Sequence, residues 1–340
     1  MAQSAVDVSD RRVTLADVAN EAGVSIATAS KALSGRQKVS PSAKQRVLAA
    51  ANQLAFHPNR QAQNLALGRS GTVGLVTHDL EGRFSIPIML GAEDTFGVGK
   101  VSVMLCDARG DALREEYHVG ALLGRQVDGL IIVGARPDPR PSLGKLPVPV
   151  VYAYAPSDDP EDMSVIADNH EAGRLAARHL LDMGRQKIAA VSGDVTYGAA
   201  IERTEGAEEV LSEAGLEFVA GGTRYGSWTE SWGRAATQGL ISSNEEFDAL
   251  LCGSDQVARG AVDALRENGR KIPEDVAVVG CDNWEAFSLG SRPPLTSVDL
   301  RLENLGQRAA AILLEAMDGT TRNGTEVVSC QIVVRGSTAA

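Results

Sequence analysis

Apolar positions recur at helical spacing in three short bursts between Val13 and Asn59. Leu15, Val18 and Ala19 follow Thr14, whose hydroxyl suits the free N–H groups of a first helical turn, and the burst stops at Gly23. Ile26, Ala29 and Leu33 follow a second capping residue, Ser25, and stop at Gly35. Ser40 and Pro41 then supply an N-cap and first-turn proline for a third helix reaching about Ala55. Two short helices about a glycine turn, with a third beneath, predict an all-α helix-turn-helix over 13–58, preceded by a flexible 1–12. Residues 59–70 follow as a hinge. Asn59 to Leu67 can make about two helical turns with Ala62 and Leu65 on one face. A helix that short is marginal alone, because nucleation is costly below roughly 12–15 residues. It requires a twin in a dimer or a DNA groove; the alternative is a plain linker.

From Thr72 the pattern changes. Short apolar runs (TVGLVT, VSVMLC, DGLIIVG, VPVVYAY, KIAAVSG, DALLCG, VAVVG) alternate with helix-like stretches. Near-continuous apolar strands alternating with helices predict an α/β fold of parallel sheets covered on both faces. About eleven strand candidates are too many for one compact sheet, so 71–340 is expected to form two lobes. Lobe 1 is placed at about 71–167 and 294–326, and lobe 2 at about 168–293 and 327–340. The chain is expected to cross back near Pro293 and to return with the final strand SCQIVVRG.

Charge sharpens this division. The whole chain carries −11, yet residues 1–71 hold nine Lys and Arg against four Asp and Glu, a balance of +5, which leaves −16 for the rest. A basic head on an acidic body points to nucleic acid at one end only. The 44% hydrophobic and 23% charged composition excludes wholesale disorder, and no apolar run approaches the roughly 18 residues of a membrane span. The N-terminus lacks a secretory layout, so a cytoplasmic, nucleoid-associated protein is expected. Cys106, Cys252, Cys281 and Cys330 lie far apart, as reduced thiols do.

In a helix-turn-helix the second helix enters the major groove with its first residues at base edges. Here these are Ser25, Ile26, Ala27, Thr28, Ser30 and Lys31. Lys31 can donate to guanine, while Ile26 and Ala27 offer only apolar contact, for instance to a thymine methyl. Thr14, Arg36, Lys38 and Lys44 suit phosphates, which position without reading sequence. The blocks VTLADVANEAGVSIATASKALSG and VSPSAKQRVLAAANQLAFHPN, with the hinge ending at Leu65, resemble the lactose-repressor (LacI) family of bacterial regulators. The resemblance puts Leu65 on the position of a minor-groove leucine lever, in a hinge that begins at Asn59 and includes Ala62. It puts Ile26, Ala27, Ser30 and Lys31 on base-reading positions.

Residues 72–336 resemble that family's core, which is similar to periplasmic sugar-binding proteins, through VDGLIIVG, VIADNHEAGRLAARHLLDMG, ERTEG, IPEDVAVVGCDN and RPPLTSVDLRLENLGQRAA. Two lobes with a cleft at the carboxyl ends of their strands make a hinged binding site. The resemblance puts Arg203 and Asp282 on hydroxyl-binding positions. Phe84 and Trp228 sit where aromatic faces can stack on a sugar, and Asp79, Asn169, Ser254 and Asp255 are further strand-end candidates, with Asp255 equally well read as a helix cap. Tyr154 and Ala155 replace an acidic or amide residue followed by arginine, Ser254 a frequent asparagine, and Leu300 a frequent glutamine. Tyr154 and Trp284 make the pocket more aromatic, which favours a saccharide or glycoside.

Rival chemistry finds little support. GVGK at 97–100 lacks the rest of a phosphate-binding loop, no GxSxG elbow occurs, and His57, His78, His118, His170 and His179 show no metal-ligand spacing. His78 is read as a solvated loop residue rather than a ligand contact. No catalytic residue, metal or cofactor is expected, although spacing alone leaves Asp79 and Asp282 open as an acid/base pair. The sequence therefore predicts a ligand-responsive regulator, most simply a repressor of carbohydrate genes. It would bind a pseudo-palindromic operator as a homodimer, with a sugar or glycoside in the cleft altering hinge engagement. The alternatives are a cytoplasmic sugar-binding protein and a corepressor-dependent regulator with a non-sugar effector. The chain closes soon after Gly336 without leucine heptads, so no tail-made tetramer is expected.

Overall fold

The structure, a computed structural model, describes residues 13–33, 39–56, 69–79, 83–97, 101–243 and 245–339. It comprises two compact units, Met1–Gly68 and Arg69–Ala340.

The first unit holds α1 (Leu15–Glu21), α2 (Ile26–Leu33) and α3 (Pro41–Gln53). Thr14 and Asp17 cap α1 reciprocally. The Asp17 N–H donates to the threonine hydroxyl, and the Thr14 N–H donates to the carboxylate at 2.8 Å. Gly23 takes the left-handed conformation (φ 61°) that turns the chain from α1 to α2, and the Val24 N–H closes the turn on the Ala19 carbonyl. Ser25 accepts from the Thr28 N–H at the start of α2, and Ser40 from the Ala43 N–H at the start of α3. Val18, Ala19, Ala29, Ala32, Val47, Ala50 and Ala51 form the buried centre. Small side chains keep three short helices close, so the core is correspondingly thin.

The second unit contains two sheets. The first has the order β10-β5-β4-β3-β1-β2: β1 (Thr72–Thr77), β2 (Ser102–Asp107), β3 (Gly129–Val133), β4 (Val150–Ala153), β5 (Met163–Ala167) and β10 (Gly324–Val328), all parallel. The second runs β11-β9-β8-β7-β6: β6 (Ile188–Val191), β7 (Ala249–Cys252), β8 (Ala277–Cys281), β9 (Thr296–Asp299) and β11 (Gln331–Val333). Its β11 is antiparallel to β9. Helices α4 (Ser85–Phe96), α5 (Ala112–Gly124) and α11 (Leu302–Met317) pack on the first sheet. Helices α6 (Asn169–Asp182), α8 (Glu230–Ser242) and α9 (Asp255–Glu267) pack on the second, and α7 (Gly198–Glu213) packs on α6; a short α10 (Glu285–Ser288) lies against α9. The strands most central to each sheet are buried along their whole length, which is why they read as unbroken apolar runs.

The chain passes between the sheets three times, and here the sequence expectation needs correction. Crossing back was expected near Pro293, with 294–326 in lobe 1. Instead β9 pairs with β8 (Val279 opposite Thr296) and belongs to the second sheet. The return comes at Leu300–Arg301, where Arg301 adopts a left-handed conformation (φ 52°) ahead of α11. β10 then extends to Val328 in the first sheet, two residues beyond the expected boundary. The two prolines mark a loop, which was mistaken for the crossing.

One packing device sets the site. On α6, a side chain at Gly173 would meet the Arg203 carbonyl at 1.9 Å, and on α7 one at Gly206 would meet the His170 carbonyl at 2.0 Å. Only paired glycines let these helix backbones touch. That contact sets Arg203 of α7 beside Asn169 at the start of α6.

Candidate functional site

Two sets of side chains stand out: one face of the head and the cleft of the core.

On α2, Ala29 and Ala32 face the core of the head, while Ser25, Ile26, Ala27 and Lys31 are exposed and Thr28 and Ser30 half-exposed. Ile26 leaves 56% of its surface in solvent, a poor place for a β-branched apolar side chain unless another surface covers it. Thr14 and Lys44 are also exposed. Thr14, Ser25 and Thr28 carry capping bonds, so their hydroxyls already have structural work. Arg36, Lys38, Asn59, Ala62 and Leu65 lie outside the described residues.

The cleft collects the loops that follow β1, β3, β4, β6, β7 and β8, all at carboxyl strand ends. Its inner chamber, about 40 Å³, is lined by Phe84, Tyr154, Tyr197 and Trp228, by Arg83 and Arg203, and by Ala135, Pro137 and Ala199. Phe84 and Tyr154 stack with centroids 4.5 Å apart, and Tyr197 meets Trp228 edge-on at 5.8 Å. The Arg136 guanidinium covers the other side of the Tyr197 ring at 4.1 Å. A larger outer chamber, about 650 Å³, is lined by Arg83, Asp282, Trp284, Asp299, Glu303 and Gln331 among others. Arg83 alone lines both.

Arg203 is 4% exposed and held through its Nε and Nη1. It donates to Asn169 Oδ1 at 3.0 Å, to the Gly253 carbonyl at 2.6 Å and to Asp282 Oδ1 at 3.3 Å. The other oxygen of Asp282 is held by Arg83, which also donates to Gln256 Oε1 at 3.1 Å. Arg83 thus reaches from the first lobe to two side chains of the second. Tyr154 and Asp282 both have positive φ, 72° and 100°, which is costly for residues with a Cβ. Backbone strain of this kind concentrates at ligand sites.

Of the cleft residues named from sequence, Phe84, Tyr154, Arg203 and Trp228 line the inner chamber, and Asp282 and Trp284 the outer. Four others do not reach either wall. Asp79 accepts from the Phe84 N–H at 3.4 Å, and Asn169 orients Arg203. Ser254 is wholly buried and caps α9 by accepting from the Val257 N–H. Asp255, 1% exposed, accepts from the Trp284 N–H at 2.7 Å and the Ser297 hydroxyl at 2.6 Å, tying the Asp282–Trp284 loop to β9. Burial, with Asp282 nearby, pushes its carboxyl up to about 8. These are positions beside the cleft, where a polar group after a strand serves the next helix first.

His78 is neither solvated nor in the cleft wall. Its Nε2 lies 2.6 Å from Glu115 Oε2, and Arg140 grips the same carboxylate with two donors at 2.7 and 2.5 Å. Burial works against the Glu115 charge, yet hydrogen bonds from Arg140 and His78 hold its carboxyl down at about 2. The four cysteines are free; burial pushes the thiols of Cys252, Cys281 and Cys330 up, which makes them unreactive.

Sequence reasoning missed Arg83, Tyr197 and Gln256. Tyr197 stands in SGDVTYGA directly after β6, so the strand-end rule would have found it. Nothing in GRF marks Arg83, because its importance comes from crossing to Asp282 and Gln256, 199 and 173 residues away in sequence.

Residues 14–59 match the family model described as bacterial regulatory proteins, lacI family, and residues 177–338 match a periplasmic binding protein-like domain. The transcriptional regulator CelR of Thermobifida fusca is 34% identical over 337 residues, covering 96% of this chain and 98% of that one. Catabolite control protein A of Priestia megaterium is 31% identical over 312 residues, covering 91% and 94%. Among solved structures, a lac repressor dimer bound to operator and the anti-inducer ONPF is 29% identical with a TM-score of 0.74, covering 97% of this chain and all of that one. A complex of CelR with cellobiose is 30% identical with a TM-score of 0.67, covering 96% of this chain and all of that one.

Proposed function

The chain belongs to the lacI family of bacterial regulatory proteins, and from that premise we propose a carbohydrate-responsive repressor whose effector sits between the lobes of the core. One observation carries this reading: the chain brings four aromatic rings and a buried Arg203–Asp282 pair to the carboxyl strand ends of both lobes. Aromatic faces suit the C–H surface of a sugar, and a fixed guanidinium beside a carboxylate suits its hydroxyls. The lac repressor structure bound to operator as a dimer, and CelR bound to cellobiose, support the same reading for this chain.

The inner chamber admits water but no sugar ring, since small-molecule sites run to roughly 300 Å³ or more. The lobes part, the ligand displaces part of the Arg83–Asp282 contact, and the cleft closes on it. A coupling of about 1–3 kcal/mol between this change and a marginal hinge over 59–70 alters operator affinity roughly 5–150-fold. Ile26, Ala27 and Lys31 read bases, with Ser25, Thr28 and Ser30 beside them; Thr14, Lys44 and the hinge positions Asn59, Ala62 and Leu65 complete the DNA contacts. No helix among the described residues is long and apolar enough to cross a membrane, which agrees with action on DNA in the cytoplasm. A binding protein without catalysis fits the cleft. Asp282 is held by two arginines, and Asp79 accepts the Phe84 N–H, so neither carboxylate stands as a poised acid/base partner.

The test is a salt titration of operator binding by fluorescence anisotropy, repeated across a panel of mono- and disaccharides. The reading requires log affinity to fall steeply with log salt, and at least one sugar to change affinity several-fold. Salt-independent binding, or a response to no carbohydrate, would overturn it.

A further inference from the structure

The inner chamber is lined by two charged side chains among the described residues, and both are arginines. One carboxylate, Asp282, serves the two: Arg203 holds Oδ1 and Arg83 holds Oδ2. Their remaining acceptors carry no charge: the Asn169 amide, the Gly253 carbonyl and the Gln256 amide. A further carboxyl, Asp255, has both oxygens committed to Trp284 and Ser297, and with its carboxyl pushed up to about 8 it adds little negative charge at neutral pH. Glu202, Asp138 and Asp79 are not part of the chamber wall. Two buried cations thus share one hydrogen-bonded anion, and burying charge is costly unless it is paired. The Arg83 Nε is moreover buried without any hydrogen-bond partner, and so is the Trp228 Nε1 on the opposite lobe. Both are donors that lack an acceptor, and the one on Arg83 belongs to a cation that an anionic acceptor suits best.

On the reading of the cleft as a carbohydrate site, we infer that the effector is an acidic saccharide, a sugar bearing one carboxylate, and that Arg83 is the residue that selects it. When the lobes part for the ligand, Arg83 leaves Asp282, and a neutral sugar would strand its guanidinium beside aromatic rings. A uronate carboxylate takes the place of Asp282 on the Arg83 fork in bidentate fashion, while the freed Asp282 oxygen accepts a ligand hydroxyl. Phe84, which carries the Arg83 guanidinium over its ring at 4.8 Å, and Tyr154 stacked upon it, then flank the sugar face. The cationic side chain comes from the first lobe and its anion from the second, so a bound carboxylate takes over a pairing that the empty cleft makes between its own lobes.

The experiment is calorimetric titration of the full-length protein with matched probes: D-glucose, D-glucuronate and its methyl ester, and the galactose series likewise. At least one uronate is expected to bind about tenfold or more tightly than both its parent sugar and its ester. Arg83→Gln is expected to reduce that preference to within about threefold, and Arg83→Lys to retain part of it, with melting temperatures checked for each. Uronates binding no more tightly than neutral sugars would overturn the assignment while leaving the carbohydrate reading intact. A preference unchanged in folded Arg83→Gln would likewise remove Arg83 from the role. Binding by neither class would overturn the uronate assignment, and the panel of mono- and disaccharides described above then decides the carbohydrate reading separately.

Discussion

On α2, Ile26 leaves 56% of its surface in solvent while Ala29, three residues along the same helix, is wholly buried; in the cleft, Arg203 is 4% exposed and donates to Asn169, Gly253 and Asp282. The head separates its tasks by helix face. Its core rests on alanines and valines, and the exposed Ile26, Ala27 and Lys31 lie outside that core. In the cleft no such separation exists, since the groups suited to a ligand also hold Asn169, Gly253 and Asp282 in place. Substitutions should therefore cost binding without stability in the head, and both together in the cleft.

The sharpest break of this contrast is Arg203→Met. Its removal leaves Asn169 Oδ1, the Gly253 carbonyl and one oxygen of Asp282 without their donor in a buried site, so urea denaturation should show a loss of about 3 kcal/mol from the core. A loss below about 1 kcal/mol would mean that the cleft is as dispensable to folding as the head surface.

Next comes the charge cluster away from the cleft. The Glu115 carboxyl lies at about 2 in the folded chain against an ordinary 4.5, so it favours folding above pH 4.5 and loses that contribution as pH falls toward 2. Such a shift corresponds to roughly 3 kcal/mol at neutral pH. Glu115→Gln should therefore flatten the acid limb of the stability profile. Asp255 works in the opposite sense. Its carboxyl is raised to about 8, so its contribution is complete below about pH 4 and is lost as pH rises through 8. The core should accordingly weaken progressively as pH rises from about 4 to about 8, and Asp255→Asn should remove that slope.

In the head, Lys31→Ala and Ile26→Ala should each weaken operator binding by about 1–3 kcal/mol with unchanged melting temperature. A fall in melting temperature of several degrees would blur the division between reading and core faces. The smallest effect is expected for Thr14→Ala. Loss of its cap should cost about 1 kcal/mol, read as faster amide hydrogen exchange within α1.

How far these features were visible in the sequence follows from the range of the interactions. The head was legible because capping residues, glycine turns and apolar spacing act within four residues; Thr14, Ser25, Ser40 and Gly23 all do what their positions imply. The alternation of strands and helices was legible for the same reason. Sheet membership was not, because TSVD after the two prolines reads equally well as a strand of either lobe, and only its pairing with β8 decides. In the cleft, Arg203, Asp282, Tyr154 and Trp228 were found, whereas Arg83 was not, since its partners are far away along the chain. Ser254 caps α9 and Asp255 accepts the Trp284 N–H; in sequence, a polar group after a strand looks alike whether it faces a ligand or holds its own backbone.

The three passages between sheets bear on how the protein is made. When the ribosome has delivered the chain as far as Leu300, the first sheet still lacks β10 and the second still lacks β11, so β5 and β9 each present an unpaired edge. Helix α11, which covers β3, β4 and β5, has not yet emerged. Neither lobe can finish ahead of the other during synthesis. A proteolytic cut at this point would accordingly injure both halves of the core at once rather than releasing one intact.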